Sequence, residues 1–366
     1  MIFTDVFEDA TKQGRKLQTN EYRESGKYAI IDQGQNTIAG YTDEEEGVFT
    51  DIPAIVFGDH TRVIKYIDTP CFLGADGVKL LKAKIQNPNY KYLYYSLLYA
   101  DIPNTGYNRH FKWLKEVNIK LPNENEQQSI VGILDGVSNL ISLRKQQLAK
   151  LDELVKARFV ELFGDPKLNN KGWKSGVISD YFEVKGGKRI PKGMGYSDTK
   201  TNHPYLRVTD MKNETILEDD IHYITEEVFQ HIKRYTVKGG DIYLTNVGVN
   251  LGMAGVIPQK FDGASLTENA VKLVPKTEEE IDGMFLAHYI NSPGIQEYIN
   301  ERKMAVGVPK LAIFRIETMP LLIPPMEVQQ DFISFVKQTD KSKAAIQDSL
   351  DKLETLKKAL MQKYFG

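Results

Sequence analysis

Two stretches of this chain repeat one another 202 positions apart. "LPNENEQQSIVGILDG" from Leu121 matches "IPPMEVQQDFISFVKQ" from Ile323, and the register then runs to the end without a gap. It pairs Pro122 with Pro324, Leu148 with Leu350, Lys150 with Lys352, Leu154 with Leu356, Ala157 with Ala359 and Phe163-Gly164 with Phe365-Gly366. A long repeat constrains a fold more tightly than composition does, because each copy must form the same unit. Each copy starts at a Pro-containing stretch, which disfavours helix before it, and ends at Phe-Gly, where Gly can supply a left-handed cap. The ~40 residues between make roughly 60 Å of helix at ~1.5 Å per residue.

Both predicted helices carry an apolar seam. In the first it is Leu134, Val137, Ile141, Leu148, Leu151, Val155 and Leu162, interrupted by Arg144 and Arg158. In the second it is Val336, Ile346, Leu350, Leu353 and Leu360, running on to Tyr364 and interrupted by Thr339, Lys343 and Lys357. One such helix alone reads as an amphipathic cover for its own domain. Two register-matched copies favour mutual pairing.

Shorter repeats precede each helix. "FTDVFE" from Phe3 matches "ISDYFE" from Ile178 at an offset of 175. "GVKLLKAKIQNPNYKYLYYSLLY" from Gly77 matches "AVKLVPKTEEEIDGMFLAHYINS" from Ala270 at 193, so the second copy carries extra loop residues. The predicted order is a globule at 1–121, a helix at 122–166, a globule at 167–323 and a helix at 324–366. Within the globules "YAII", "AIVFG", "VIKYI", "GVKLL", "YLRVTD", "GGDIYLTNVG", "AGVIP" and "AVKLVP" read as strands bounded by turn residues. "YKYLYYSLL" and "DGMFLAHYINS" read as short helices, and the tyrosines of the first as packing more than base-stacking residues. "GWKSG" around Trp173 reads as a linker. The fold class expected is α+β, two β-rich domains each followed by a long helix.

With 47 Lys and Arg against 49 Asp and Glu, a net charge of −2 gives no global basic field, so nucleic-acid contact would have to be local. Cys71 is the one cysteine, no run approaches the ~20 apolar residues of a membrane span, and no signal pattern opens the chain. The cytoplasm is the expected location.

Motifs for catalysis are missing: no Walker A, no GxGxxG opening a βαβ unit, no GxSxG and no HExxH. "VGVNLGMAG" from Val247 reads as a turn between strands. Asp165 with Glu183 and Lys185 imitates a metal-dependent nuclease spacing, yet Asp165 falls in the linker and Glu183 in the repeated segment. The six histidines show no paired metal spacing, so neither a catalytic nor a metal site is expected.

What remains suits local DNA contact and, equally, solvated basic loops. "KGGKRIPKG" sets Lys185, Lys188, Arg189 and Lys192 among glycines, a combination suited to phosphate. "GYNRHFKW" from Gly106 and "GVPKLAIFR" from Gly307 hold corresponding places before the two helices. There Asn108, Arg109, Lys310 and Arg315 could contact DNA, with Arg and Asn able to read base edges.

The central region from Leu121 to Pro166 strongly resembles that of specificity (S) subunits of type I restriction-modification systems. "IVFGDHTRVIKYIDTPCFLGADGVKLLKA" and "GGDIYLTNVGVNLGMAGVIPQKFDGASLTENAVKLVP" are similar to that family's target recognition domains, and the resemblance covers essentially the whole chain. It implies that each globule reads half of a bipartite double-stranded DNA target. It also implies that the helices pair as an antiparallel coiled coil with pseudo-two-fold symmetry, a spacer between half-sites. The chain itself would have no activity and bind no cofactor. Two modification subunits would methylate adenine with S-adenosylmethionine after flipping it, and restriction subunits would use ATP and Mg to cleave. By the same resemblance His60 and Arg62 face DNA in the first half, with Asn246 and Asn250 in the matching loop of the second. One departure is the start at "MIFTDVFED", which lacks a counterpart of Gly172-Trp173 and leaves open a shortened or recombined start. Two other readings use the same residues: a recognition subunit of a related methylase or combined restriction-methylase assembly, and a coiled-coil scaffold with no DNA role.

Overall fold

The computed structural model describes residues 1–277, 280–304 and 307–366. They form two units, one of Met1–Gln146 with Ile346–Gly366 and one of Gln147–Ala345.

The first unit holds the strands β1 (Phe7–Asp9), β2 (Lys16–Leu17), β3 (Tyr28–Ile31), β4 (Gly40–Thr42), β5 (Ala54–Gly58), β6 (Ile64–Ile67), β7 (Cys71–Gly74) and β8 (Val78–Ala83). An antiparallel sheet runs in the order β1-β8-β5-β6, and a mixed sheet β2-β7-β3-β4 has β7 parallel to both β2 and β3. Helices α1 (Phe3–Val6), α2 (Tyr90–Tyr99) and α3 (Phe111–Leu114) complete the globule, and α4 (Glu124–Phe163) leaves it. Three α2 tyrosines lie inward, Tyr90, Tyr92 and Tyr95, buried with Leu93 and Leu97, while Tyr94 is half-buried and Tyr99 exposed. The Tyr95 hydroxyl donates to Asp135 on α4 at 2.5 Å.

The second unit contains β9 (Lys174–Val177), α5 (Ile178–Tyr181), β10 (Phe182–Gly186), β11 (Pro204–Leu206), β12 (Met211–Lys212), β13 (Thr215–Ile216), β14 (His222–Tyr223) and α6 (Glu226–Ile232). There follow β15 (Ile242–Thr245), β16 (Ala254–Val256), β17 (Ser265–Leu266), β18 (Ala270–Pro275), α7 (Gly283–Asn291), α8 (Pro293–Arg302), α9 (Ile313–Glu317), β19 (Pro320–Ile323) and α10 (Met326–Phe365). Its antiparallel sheet β10-β18-β15-β16 has the topology of β1-β8-β5-β6. The offsets seen in the sequence recur: α1 to α5 at 175, the first residues of α2 and α7 at 193, and both ends of α4 and α10 at 202. The caps repeat too. Asn89 accepts from Tyr92 N at the start of α2, and Asp282 accepts from Met284 N at the start of α7. The first Gln of each Gln-Gln pair seals a proline carbonyl before its long helix, Gln127 to Pro122 at 2.8 Å and Gln329 to Pro324 at 2.9 Å.

Helices α4 and α10 contact each other within both units, running in opposite directions. In the first unit Ile130 and Leu134 share a core with Met361, while Lys145 pairs with Glu354 at 2.9 Å. In the second, Asp152 pairs with Lys343 at 2.6 Å and the ring of Phe163 lies 5.4 Å from that of Phe332. Of the seam residues, Leu134, Val137, Val155, Val336 and Leu350 are buried, and Ile141, Leu148, Leu151, Leu162, Ile346, Leu353 and Leu360 half-buried. Thr339 is buried in the seam because its hydroxyl donates to Phe335 O one turn back.

Two local expectations are corrected. "YLRVTD" stops being a strand at Leu206, because Asp210 accepts from Arg207 N at 2.8 Å and from its guanidinium at 2.7 Å, winding Val208–Asp210 into a 3-10 turn. "GWKSG" is no free linker. The Trp173 indole donates to Phe163 O at 3.1 Å, and Lys174–Val177 pairs antiparallel with Pro320–Ile323.

Candidate nucleic-acid interface

Each unit builds the same junction at the end of its antiparallel sheet, where the hairpin loop after β5 or β15 meets the segment before α3 or α9. In the first unit Asp59 is buried, and its backbone N donates to Gly77 O at 2.6 Å. Its carbonyl accepts from His110 N at 2.7 Å and from His110 Nδ1 at 2.9 Å, so the buried imidazole carries a hydrogen on Nδ1. The Asp59 carboxylate accepts from Phe111 N at 2.8 Å. In the second unit Asn246 takes the place of Asp59: its N donates to Asn269 O at 3.0 Å, and its carbonyl accepts from Leu311 N at 2.9 Å. Its side-chain amide donates to Leu311 O at 3.4 Å. Burial and these bonds make Asn246 a junction residue.

Above the first junction stand the residues that the sequence singled out. Asn108 and Arg109 are exposed. The ring of His60 stacks on Tyr107 at 4.6 Å between centroids, and its Nδ1 donates to Asn108 O at 3.2 Å. Arg62, at φ 62°, turns its guanidinium to Ile102 O at 3.0 Å, so part of its donor set is spent inside the protein. Gln33, which the sequence reading passed over, holds this loop by accepting from His60 N at 3.1 Å and from the Thr61 hydroxyl at 2.6 Å.

In the second unit Lys310 bridges to Val247 and Met304 through its backbone and leaves its side chain exposed. Asn250 is half-buried, its carbonyl taken by the Thr245 hydroxyl. Arg315 is exposed beside the Phe314 ring, 4.8 Å from its centroid. The "KGGKRIPKG" segment passes close by: Gly186, Gly187, Asn246, Glu268, Lys310 and Phe314 line one surface concavity. Gly187 is required there, since a Cβ would stand 2.0 Å from Thr267 O. Its N donates to Ala270 O and Lys188 N donates to Leu266 O, so these two amides are engaged by protein and unavailable to phosphate. What the segment offers an anion is its cations. Lys185 is paired with Glu183 at 2.5 Å and Arg189 with Glu268 at 2.5 Å, while Lys188 and Lys192 are exposed. Burial alone would raise the Glu268 carboxyl; the Arg189 guanidinium and hydrogen bonds from a backbone N-H and the Thr267 hydroxyl together hold the group below the usual carboxylate range.

Two further positions escaped notice. Tyr107 is 86% exposed and Val308 65%. The pairing of Gly106 with Gly307 could have found both, since it sets Tyr107 against Val308, Arg109 against Lys310 and His110 against Leu311.

Among the described residues no group of three or more His, Cys, Asp or Glu side chains is placed to hold a metal, and no helix is long and apolar enough to cross a membrane.

The model of the Type I restriction modification DNA specificity domain matches residues 3–153 and 170–355. The chain is 22% identical over 356 residues to the specificity subunit of the type I restriction enzyme EcoR124I/EcoR124II of Escherichia coli, covering 91% of this chain and 84% of that one. It is 25% identical over 272 residues to the MjaIX specificity subunit of Methanocaldococcus jannaschii, covering 68% of this chain and 60% of that one. Among solved structures, the S subunit of a type I restriction-modification system from M. genitalium shares the fold. Its TM-score is 0.59 at 17% identity, covering 100% of this chain and 95% of that one. Family match and fold agree with the doubled junction and the paired helices: the chain belongs to the family of type I restriction-modification DNA specificity subunits, which are non-catalytic.

Proposed function

We propose that the recognition domains at 1–121 and 167–323 each read one half of a bipartite duplex-DNA target, with α4 and α10 as the spacer between half-sites. The observation that carries this reading is the junction built twice, Asp59 with His110 and Asn246 with Leu311, on otherwise different loops. A repeated scaffold with unlike side chains suits two unlike half-sites. Exposed Asn108, Arg109, Lys188, Lys192, Lys310 and Arg315 supply base-edge and phosphate donors. His60, Arg62 and Asn250 are held at the same loops, Lys185 and Arg189 are exposed cations paired with Glu183 and Glu268, and Asn246 sits in the junction.

The chain directs chemistry that it does not perform. Two modification subunits methylate adenine with S-adenosylmethionine at the sites it selects, and restriction subunits, where the system has them, cleave with ATP and Mg in the cytoplasm. Single-molecule sequencing of adenine methylation tests this in cells expressing the chain with its modification subunit, beside cells expressing the modification subunit alone. A bipartite motif is expected only with both. Methylation of the same motif by the modification subunit alone, or no motif with both, contradicts the proposal.

A further inference from the structure

We infer that Tyr107 and Val308 are matched wedge residues, each packing its apolar side chain on a nucleobase at a base step of the half-site its own unit reads. The inference rests on the half-site reading above and adds how that reading is made.

Single exposed apolar side chains are ordinary and need no explanation. These two differ because the repeat keeps them. Each follows a glycine in the left-handed region, Gly106 at φ 77° and Gly307 at φ 79°. Each stands two residues before an exposed cation, Arg109 or Lys310, and three before a fully buried residue, His110 or Leu311, that is bonded to the junction. Thus the fold twice lifts an apolar side chain to the tip of an anchored loop and sets a positive charge beside it. A polyanion whose interior is apolar and aromatic fits that pattern: the cation meets a phosphate, and the apolar tip meets a base face.

The two tips are built differently. Tyr107 has one ring face on His60, at 4.6 Å with 8° between planes, which extends the stack beneath it. Its 86% exposure leaves the other face open to a base. This makes His60 a positioning residue. At the second tip Gly248 N donates to Pro309 O at 2.9 Å, and Val249, next to Gly248 in the chain, is 96% exposed. The second tip is therefore aliphatic.

The test uses the complex of the full chain with its modification subunits, on a duplex carrying the methylated motif. 2-Aminopurine is placed in turn at each half-site position except the methylated adenine. Wild-type binding is expected to raise fluorescence at one step in each half-site. Y107A removes the rise in the first half-site alone and V308A in the second alone, and Y107A weakens binding about tenfold, the order of one lost stacking contact. Tyr107→Trp keeps the signal. R109A keeps the fluorescence signal and lowers the salt slope by about one, as loss of a phosphate contact should, whereas Y107A leaves the slope unchanged. Wild-type affinity and fluorescence in Y107A overturn the wedge and leave half-site reading standing. Reduced thermal stability in Y107A would assign its effect to folding and also overturn the wedge. A wild-type complex that binds no bipartite duplex overturns both.

Discussion

Replacing Phe163 with Ala lowers the stability of the second unit by about 3–5 kcal/mol, the range for removing a buried aromatic side chain. Phe163 is 2% exposed and closes α4 with its ring 4.8 Å from those of both Phe159 and Phe285 and 5.4 Å from that of Phe332. Its carbonyl receives the Trp173 indole, and Gly164 at φ 75° turns the chain out of the helix. One ring thus joins both long helices to the β15–β18 sheet core. Its repeat partner Phe365 is half-buried, against Tyr92 at 5.4 Å and Tyr99 at 6.3 Å, so Phe365→Ala costs less. Amide hydrogen exchange separates the units: F163A should lose protection at β15 and β18 and keep it at β5 and β8. A loss below about 1 kcal/mol would show that this ring contributes little beyond its area.

Asp59→Ala is expected to weaken methylation of the first half-site, while Asp59→Asn retains it. Alanine orphans the Phe111 N-H in a buried setting, at a cost of about 1–3 kcal/mol. The segment that carries Tyr107 and Arg109 then loses one of its ties to the hairpin. Asparagine keeps an acceptor oxygen at that place. Methylation rates on duplexes altered in one half-site at a time decide the matter. Equal rates for the alanine and asparagine variants would remove the carboxylate bond from the account.

The architecture was legible because its signals are local or periodic. Proline, glycine and apolar spacing mark both long helices, and the repeat offsets survive to single residues at α1 and α5. Pairing between distant segments was not legible. The mixed sheet depends on parallel bonds from β7 to β2 and β3, which no run of residues announces. Lys65 is the sharpest case. In "VIKYI" its alternation suggests a solvent-facing position, yet it is 5% exposed, donating to Asn36 O at 2.6 Å and to Asp32 at 3.2 Å. Burial holds its ammonium below the usual lysine range despite Asp32. The candidate interface was legible by residue type only in part: cations and asparagines were visible, whereas the placing of Asp59, Gln33 and Tyr107 depends on where loops meet. The resemblance singled out Arg62 and Asn246, and the fold spends part of their bonding capacity on holding loops.

The most direct test exchanges residues 1–121 for the corresponding segment of a relative with a known target and reads the methylated motif by single-molecule sequencing. The account predicts that one half of the motif changes to the donor's and the other half stays. A motif altered in both halves, or unaltered in either, would contradict the claim that each unit reads its own half-site.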